Sequence, residues 1–380
     1  MTKHDRKNPF LSTIKKEYCI SEGSGKETNH YIFDIERSGL RYKPGDSLGV
    51  FPENNPELVS VTLEKFGFYG NEDVEINDME KIELRTALKK KLIIHRAGRK
   101  FFAAVVGKLS ESDEKNKLNE ILEDRDKLEE YLNIRDCVDI MNEHPEISFE
   151  AQEFVDTLQN ITPRLYSISS SPKVHSNEVH TTVAIVRYEN FGRKRAGVAT
   201  GYLADNVKVQ ETRIPVYVQP TKEFVIPKDG SKDVIMVGPG TGIAPFRAFL
   251  EERERTHSSG RNWLFFGDWY EESTFFYKNE WMGFMERGIM TKLTTAFSRD
   301  QKNKIYVQHR IEQHSKEIWK WIKNGAYFYV CGDKEYMAKD VHKTLIKIAE
   351  SEGKMNREKA EEYINKTLMK EKKRYLRDVY

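Results

Sequence analysis

Apolar and polar positions follow two rhythms along the chain. From residue 8 to 51 the runs are short and broken by turns. Residues 29–35 (NHYIFDI) alternate as a strand does, and the turn residues 42–46 (YKPGD) precede a second short run at 47–51. From Pro56 the spacing becomes helical: Leu58, Val61, Thr62, Leu63 and Phe66 share one face, and charge-rich helical segments recur through 113–132 and 149–158. Strand character returns at 164–169 and 179–188. This pattern predicts an antiparallel β-barrel interrupted by a helical insertion at about residues 54–160. Beyond residue 232 strand and helix alternate. Candidate strands lie at 234–237, 263–266, 293–297, 305–307 and 327–331; candidate helices lie at 246–253, 277–287, 312–323, 337–351 and 357–372. That alternation predicts a doubly wound, mostly parallel sheet with ligands at the carboxyl ends of its strands. The expected domains are residues 1–53 with 161–228, the insertion 54–160, and 229–380.

The sharpest chemistry sits where the second rhythm begins. Val234, Ile235, Met236 and Val237 form an apolar, partly β-branched run, followed by Gly238, Gly240 and Gly242 on alternate positions, then Pro245 and the helically spaced Phe246, Phe249 and Leu250. Strand, side-chain-free loop and helix N-terminus together bring backbone N–H groups against a pyrophosphate. The loop reads GPGTG rather than GxGxxG, so a plain tight turn is its bland alternative.

Composition narrows the partners. With 62 basic and 60 acidic side chains in 380 residues, the net charge of +2 offers nothing general to a nucleic acid or a membrane. The polar opening MTKHDRKNP lacks the apolar core of a signal peptide, and no apolar run reaches the roughly 20 residues of a membrane span. Three scattered cysteines, Cys19, Cys137 and Cys331, fit a reduced, cytoplasmic protein with neither disulfide nor zinc framework, and no metal is expected.

Four further stretches could carry chemistry. Arg164-Leu165-Tyr166-Ser167 puts a guanidinium and an aromatic ring on one side of a strand, suited to a pyrophosphate and a flat heterocycle, with a hydroxyl beside them; an ordinary amphipathic strand reads equally well. Gly197-Val198-Ala199-Thr200 enters a helix and could be a second anion cradle, or only a helix start. Ser298-Arg299 and the run Lys304-Ile305-Tyr306-Val307-Gln308 could hold an extra phosphate and stack on adenine, against the alternative of a solvated basic turn. Cys331 ends a strand as a small filler would, and the terminal Asp378-Val379-Tyr380 reads by pattern alone as a frayed tail.

Taken with 237–247, 263–267, 298–302 and 329–333, these motifs resemble the ferredoxin–NADP reductase family, and within it the FAD/NADPH half of the diflavin reductases, with the sulfite-reducing branch nearest in pattern. The likeness runs from Asn8 to the end and is weakest in the insertion. It implies FAD and NADPH as cofactors. Arg164, Leu165, Tyr166 and Ser167 fall on the flavin strand, with Tyr166 against the ring and Ser167 near its reactive nitrogen. Thr182, Val183, Ala184 and Tyr188 fall on positions lining FAD, and Gly197, Val198, Ala199 and Thr200 on its pyrophosphate loop. Gly240, Thr241 and Gly242 fall on the nicotinamide nucleotide's phosphate loop, while Ser298, Arg299, Lys304, Ile305, Tyr306, Val307 and Gln308 fall on the 2′-phosphate and adenine site, with Asp340 nearby. Cys331, Asp378 and Ser167 match the set lining the hydride path, and Tyr380 matches the aromatic that covers the isoalloxazine.

The resemblance implies an NADPH-dependent reductase that passes electrons to a sulfite reductase haemoprotein, a flavodoxin or a ferredoxin. The family's diflavin members carry an FMN domain ahead of the match, whereas seven residues precede Asn8 here, so the acceptor is expected to be a separate protein. A threonine expected near the flavin is missing; His95 falls in its place without an assigned role. Two other readings stand beside this one: a general flavodoxin or ferredoxin reductase unrelated to sulfite, and a non-catalytic NADPH-binding module.

Overall fold

The structure is a computed structural model that describes residues 4–76 and 80–380; the first three residues of the polar opening lie outside that range. The chain divides into two compact units, one of Met1–Gly49, Leu165–Ala184 and Lys208–Tyr380, the other of Val50–Arg164 and Ile185–Val207.

The first unit contains a five-stranded sheet in the order Lys292–Phe297, Asn262–Asp268, Val234–Val237, Tyr327–Gly332, Tyr375–Val379, every pair parallel. The three central strands, Asn262–Asp268, Val234–Val237 and Tyr327–Gly332, are buried almost along their whole length, which is why apolar side chains dominate both of their faces. Ile235, Val237, Trp263, Phe265, Phe328 and Val330 pack on one face with Ile311, Trp321, Val341 and Leu345. Val234, Met236, Leu264, Phe266 and Tyr329 pack on the other with Phe246, Phe249, Leu250 and Trp281. Helices therefore cover both faces, as the alternation predicts.

Three local readings need correction. No strand forms at 305–307; Tyr306 caps the helix Val307–Gln313, whose Val307 and Ile311, four apart, both enter the core. The single helix expected at 312–323 is two, with His314 between Val307–Gln313 and Ser315–Lys323. The tail is not frayed, for Tyr375–Val379 is an edge strand with Cys331 opposite Asp378 and Gly332 opposite Val379.

The same unit carries two smaller sheets. One has the order Phe10–Ser12, Ile214–Gln219, Ser47–Val50, Arg164–Ser167; the other is the antiparallel set Ile14–Cys19, Thr28–Asp34, Glu178–Ala184. The run expected at 179–188 stops at Ala184, and Arg187–Asn190 begins a separate hairpin with Arg193–Ala196.

The second unit is mainly helical around its own core. Phe66, Phe101, Phe149 and Phe154 gather with ring centroids 4.1 to 6.4 Å apart, and Phe101, Phe102, Val105 and Val106 of helix Arg99–Lys108 are buried among them. The hairpin 187–196 belongs here because Arg193 and Arg195 pair with Asp136 and Asp139, which form the capping box of helix Cys137–Glu143. Burial pushes the Asp136 carboxyl up; Asp139, also penalised by burial, is held below the usual range by hydrogen bonds from Arg195 and Arg193.

Candidate functional site

The glycine loop sits at the carboxyl end of Val234–Val237, the edge where an open parallel sheet binds ligands. A Cβ on Gly242 would lie 2.1 Å from the Cys331 carbonyl oxygen, and one on Gly238 2.5 Å from the Gly242 oxygen. Gly240 takes a left-handed φ of 55°, and a Cβ there would meet only Asp268 Oδ2, at 3.7 Å. The turn Gly240–Ile243 leads into helix Ala244–Arg255 with proline in its first turn. Backbone thus packs on backbone beneath the loop, and glycine at three alternate positions lets a pyrophosphate approach its N–H groups.

Three separate stretches meet beside this loop. Ser167 Oγ donates to Asp378 Oδ2 at 3.0 Å, and the Cys331 thiol lies 4.0 Å from the same oxygen. Burial raises the pKa of both Asp378 and Cys331; the serine hydrogen bond pulls Asp378 partly back, and the Asp378 carboxylate pushes Cys331 further up. Tyr380 Oη lies 3.1 Å from Thr241 Oγ1, and the Tyr380 N–H donates to the Gly332 oxygen, so the final ring is held at the glycine loop. Tyr166 is half-buried on the neighbouring strand; Thr182 and Val183 are buried, with Thr182 Oγ1 2.6 Å from Tyr277 Oη, and Ala184 is exposed.

Farther along the edge, Ser298 caps its strand by donating to the Asp268 carbonyl oxygen, and the Arg299 guanidinium lies 3.4 Å from the centre of the Trp269 ring. Gln308 donates to Asp340 at 3.4 Å, and Tyr306 and Lys304 are exposed. Val307 is in the core, and Ile305 packs against that core. Sequence reasoning missed Lys26, which pairs with Asp268 and lies 4.2 Å over the same Trp269 ring. The other Asp268 oxygen, Oδ2, is buried without a hydrogen-bond partner. Lys26 lies in a Ser/Gly turn that carries no signal of its own; Trp269 follows directly on the strand that does.

The helical unit contains a cleft of about 890 Å³ lined by the Tyr188 hairpin, Gly197, Val198 and the start of helix Pro56–Phe66. Gly197 opens the turn Val198–Gly201, where a Cβ would meet Thr200 Oγ1 at 2.8 Å; Thr200 Oγ1 accepts from the Val186 N–H, and Ala199 lies between. Four lining residues, Asn54, His95, Arg195 and Asn206, each hold a buried polar atom without a partner. Unsatisfied polar groups around a cleft of this size call for a polar, cofactor-sized ligand. Burial, with help from Arg96, lowers the His95 pKa to about 4, so a neutral imidazole faces the cleft. Neither Arg195 nor Asn206 stands in a motif by which sequence could have found it. Arg164, which begins the strand Arg164–Ser167, is exposed.

A glycine loop on a doubly wound sheet, a hydroxyl–carboxylate–thiol set beside it and a polar cleft are what a flavin- and nicotinamide-nucleotide-binding module requires. Residues 2–202 match the family model of the FAD binding domain, and residues 236–343 match that of the oxidoreductase NAD-binding domain; the chain belongs to the FAD-binding family. It is 42% identical to the sulfite reductase [NADPH] flavoprotein alpha-component of Bacillus subtilis over 99% of its own length and 62% of the relative's. It is 43% identical to the protein of the same name from Vibrio parahaemolyticus, over 100% and 60%, and 41% identical to that from Mannheimia succiniciproducens, over 99% and 62%. The chain thus spans about three fifths of the length of the curated relatives it matches. Among the described residues no helix is long and apolar enough to cross a membrane.

Proposed function

We propose that this chain is an NADPH-dependent FAD reductase that takes reducing equivalents from NADPH and delivers electrons singly to a redox partner, a sulfite reductase haemoprotein or an FMN carrier in the manner of flavodoxin. The observation that carries the reading is the meeting of Ser167, Cys331 and Asp378, drawn from three stretches at the mouth of the phosphate loop. A nucleotide sensor has no use for a hydroxyl, a thiol and a carboxylate gathered there. Family membership supports FAD, and the relatives' name supports NADPH and sulfite reduction.

In this reading residues 1–53 and 161–228 form the FAD-binding barrel, 54–160 an insertion and 229–380 the NADP(H) domain. Bound FAD would supply what no side chain can, acceptance of two electrons and their release one at a time. Tyr166 and Ser167 would orient its ring, and Arg164, Tyr188 and Gly197 to Thr200 would hold its ribityl and phosphate portions. Thr182, Val183 and Ala184 would shape the wall beside them. Gly240, Thr241 and Gly242 would hold the nucleotide's pyrophosphate with backbone N–H groups. Ser298, Arg299, Lys304, Tyr306 and Gln308, with Ile305, Val307 and Asp340 supporting them, would select the 2′-phosphate and adenine. Asp378 orients the Ser167 hydroxyl by accepting its hydrogen bond, which would leave the serine's lone pairs available to the flavin ring. Tyr380, held at Thr241 and Gly332, would cover that face and shield it from water when no nicotinamide is bound.

The test is anaerobic stopped-flow reduction by NADPH of protein loaded with FAD. Rapid bleaching in the parent and slow bleaching in Cys331→Ser and Asp378→Asn, at unchanged FAD content, is expected. A protein that binds FAD but is not bleached by NADPH, or variants as fast as the parent, would overturn the reading.

A further inference from the structure

Away from the nucleotide edge, the turn between Arg164–Ser167 and Glu178–Ala184 brings two imidazoles and a carboxylate together. His175, Glu178 and His180 each offer one donor atom, and these atoms all lie within 4.8 Å of one another. His180 Nε2 lies 3.2 Å from Glu178 Oε2, and His175 Nδ1 lies 3.6 Å from that same oxygen. Donors bonded at ~2.0–2.1 Å to a tetrahedral zinc stand about 3.3–3.4 Å apart, so the spacing suits such an ion once the rings turn from their present tilted contact. The two ring centroids are now 4.1 Å apart.

The second observation is what lies behind each donor. His175 Nε2 is 3.3 Å from Glu251 Oε1, leaving Nδ1 for the ion. His180 Nδ1 is 3.2 Å from His30 Nε2, and His30 Nδ1 is 2.8 Å from Tyr277 Oη, which in turn lies 2.6 Å from Thr182 Oγ1. That relay can fix the His180 tautomer with Nε2 free. Glu178 Oε1 is held by Lys15 Nζ at 3.1 Å, leaving Oε2 turned inward. Arg247, 3.5 Å from His180 Nδ1, has its charge engaged elsewhere: it donates to the Ser169 carbonyl oxygen and pairs with Glu251 and Glu280 at 3.0 and 2.7 Å. A carboxylate or hydrogen-bond acceptor behind each ligating imidazole is the arrangement that orients metal ligands.

We propose that His175 Nδ1, Glu178 Oε2 and His180 Nε2 form a binding site for a divalent transition cation, zinc foremost, with a fourth position open to water. His175 and Glu178 are both partly exposed, so an ion can enter from solvent. Two nitrogens and one oxygen suit Zn²⁺ or Co²⁺ and disfavour Mg²⁺ and Ca²⁺. The ion would pin the 171–177 turn that joins the two strands.

The experiment is calorimetric titration of the chelator-treated full chain with Zn²⁺, and Co²⁺ titration followed by its visible ligand-field absorption. One saturable equivalent and a tetrahedral Co²⁺ spectrum are expected. His175→Ala and Glu178→Gln should each weaken binding by about tenfold or more, whereas His257→Ala, on an exposed turn, should not. Retained FAD content and circular dichroism show that the variants fold; Glu178→Gln preserves side-chain shape should the other variant not fold. Absence of one saturable equivalent, or cluster variants that bind as the parent does, would overturn the site.

Discussion

The Arg299 guanidinium lies over Trp269, which also lies under Lys26. Two cations on one indole place positive charge where the Ser298 turn ends, and a guanidinium so fixed presents its fork to a phosphate with little entropy left to lose. Arg299→Ala should therefore raise the KM for NADPH by a factor equivalent to ~1.5–3 kcal/mol while leaving NADH kinetics nearly unchanged; equal losses for both nucleotides in steady-state assays would remove Arg299 from the 2′-phosphate. His95 makes a pH prediction. Its folded pKa of about 4 lies below the unfolded value of 6.5, so the unfolded chain binds the extra proton as pH falls between those values. The contribution is fully present above pH 6.5 and is lost on acidification, by about 2 kcal/mol between pH 7 and 5. Urea melts at both pH values should show His95→Gln losing less stability on acidification than the parent, by roughly that amount. Residues inside motifs, such as Ser167 and Gly242, were legible because their neighbours repeat a known grammar. Lys26 and Arg195 were not, because each meets partners distant in sequence, and Asn206 was not, because only the fold brings it to the cleft.

At the scale of elements, the glycine loop and the strand beside it are one packing solution. The Gly242 Cα rests on the backbone at Cys331 and Gly332, and only hydrogen fits between them. Gly242→Ala should part the loop from that strand, cost about 1–3 kcal/mol of stability as overpacking does, and weaken NADP⁺ affinity more than FAD affinity; parallel titrations of both ligands would check this. The central strands were legible because burial on both faces demands unbroken apolar runs. Tyr375–Val379 was not: an edge strand can mix Arg377 and Asp378 into five residues, and no pattern distinguishes that from a loose end. The error at 305–307 has the opposite cause. Ile-Tyr-Val favours a strand locally, yet Val307 and Ile311 at helical spacing both reach the core, and tertiary packing outweighs propensity.

The largest scale adds something that neither family boundary nor periodicity contains. The N-terminal sheets and the parallel sheet fall in a single compact unit, and buried polar ties join them. Arg247, from the helix after the glycine loop, reaches the Ser169 carbonyl at 2.8 Å, the Ser171 N–H donates to Glu251, and Tyr277 meets Thr182. Arg247 is 7% exposed, and its guanidinium is held charged against the cost of burial by Glu251 and Glu280. Removing one partner from such a set leaves the others buried and unpaired, a loss of about 3–5 kcal/mol. Arg247→Leu should therefore weaken the strand Glu178–Ala184 and the helix Ala244–Arg255 together. Hydrogen exchange followed by mass spectrometry would show both segments losing protection by a similar factor. Loss confined to the helix would mean that the tie to Ser169 carries no stability, and that the antiparallel and parallel sheets are held together by apolar packing alone.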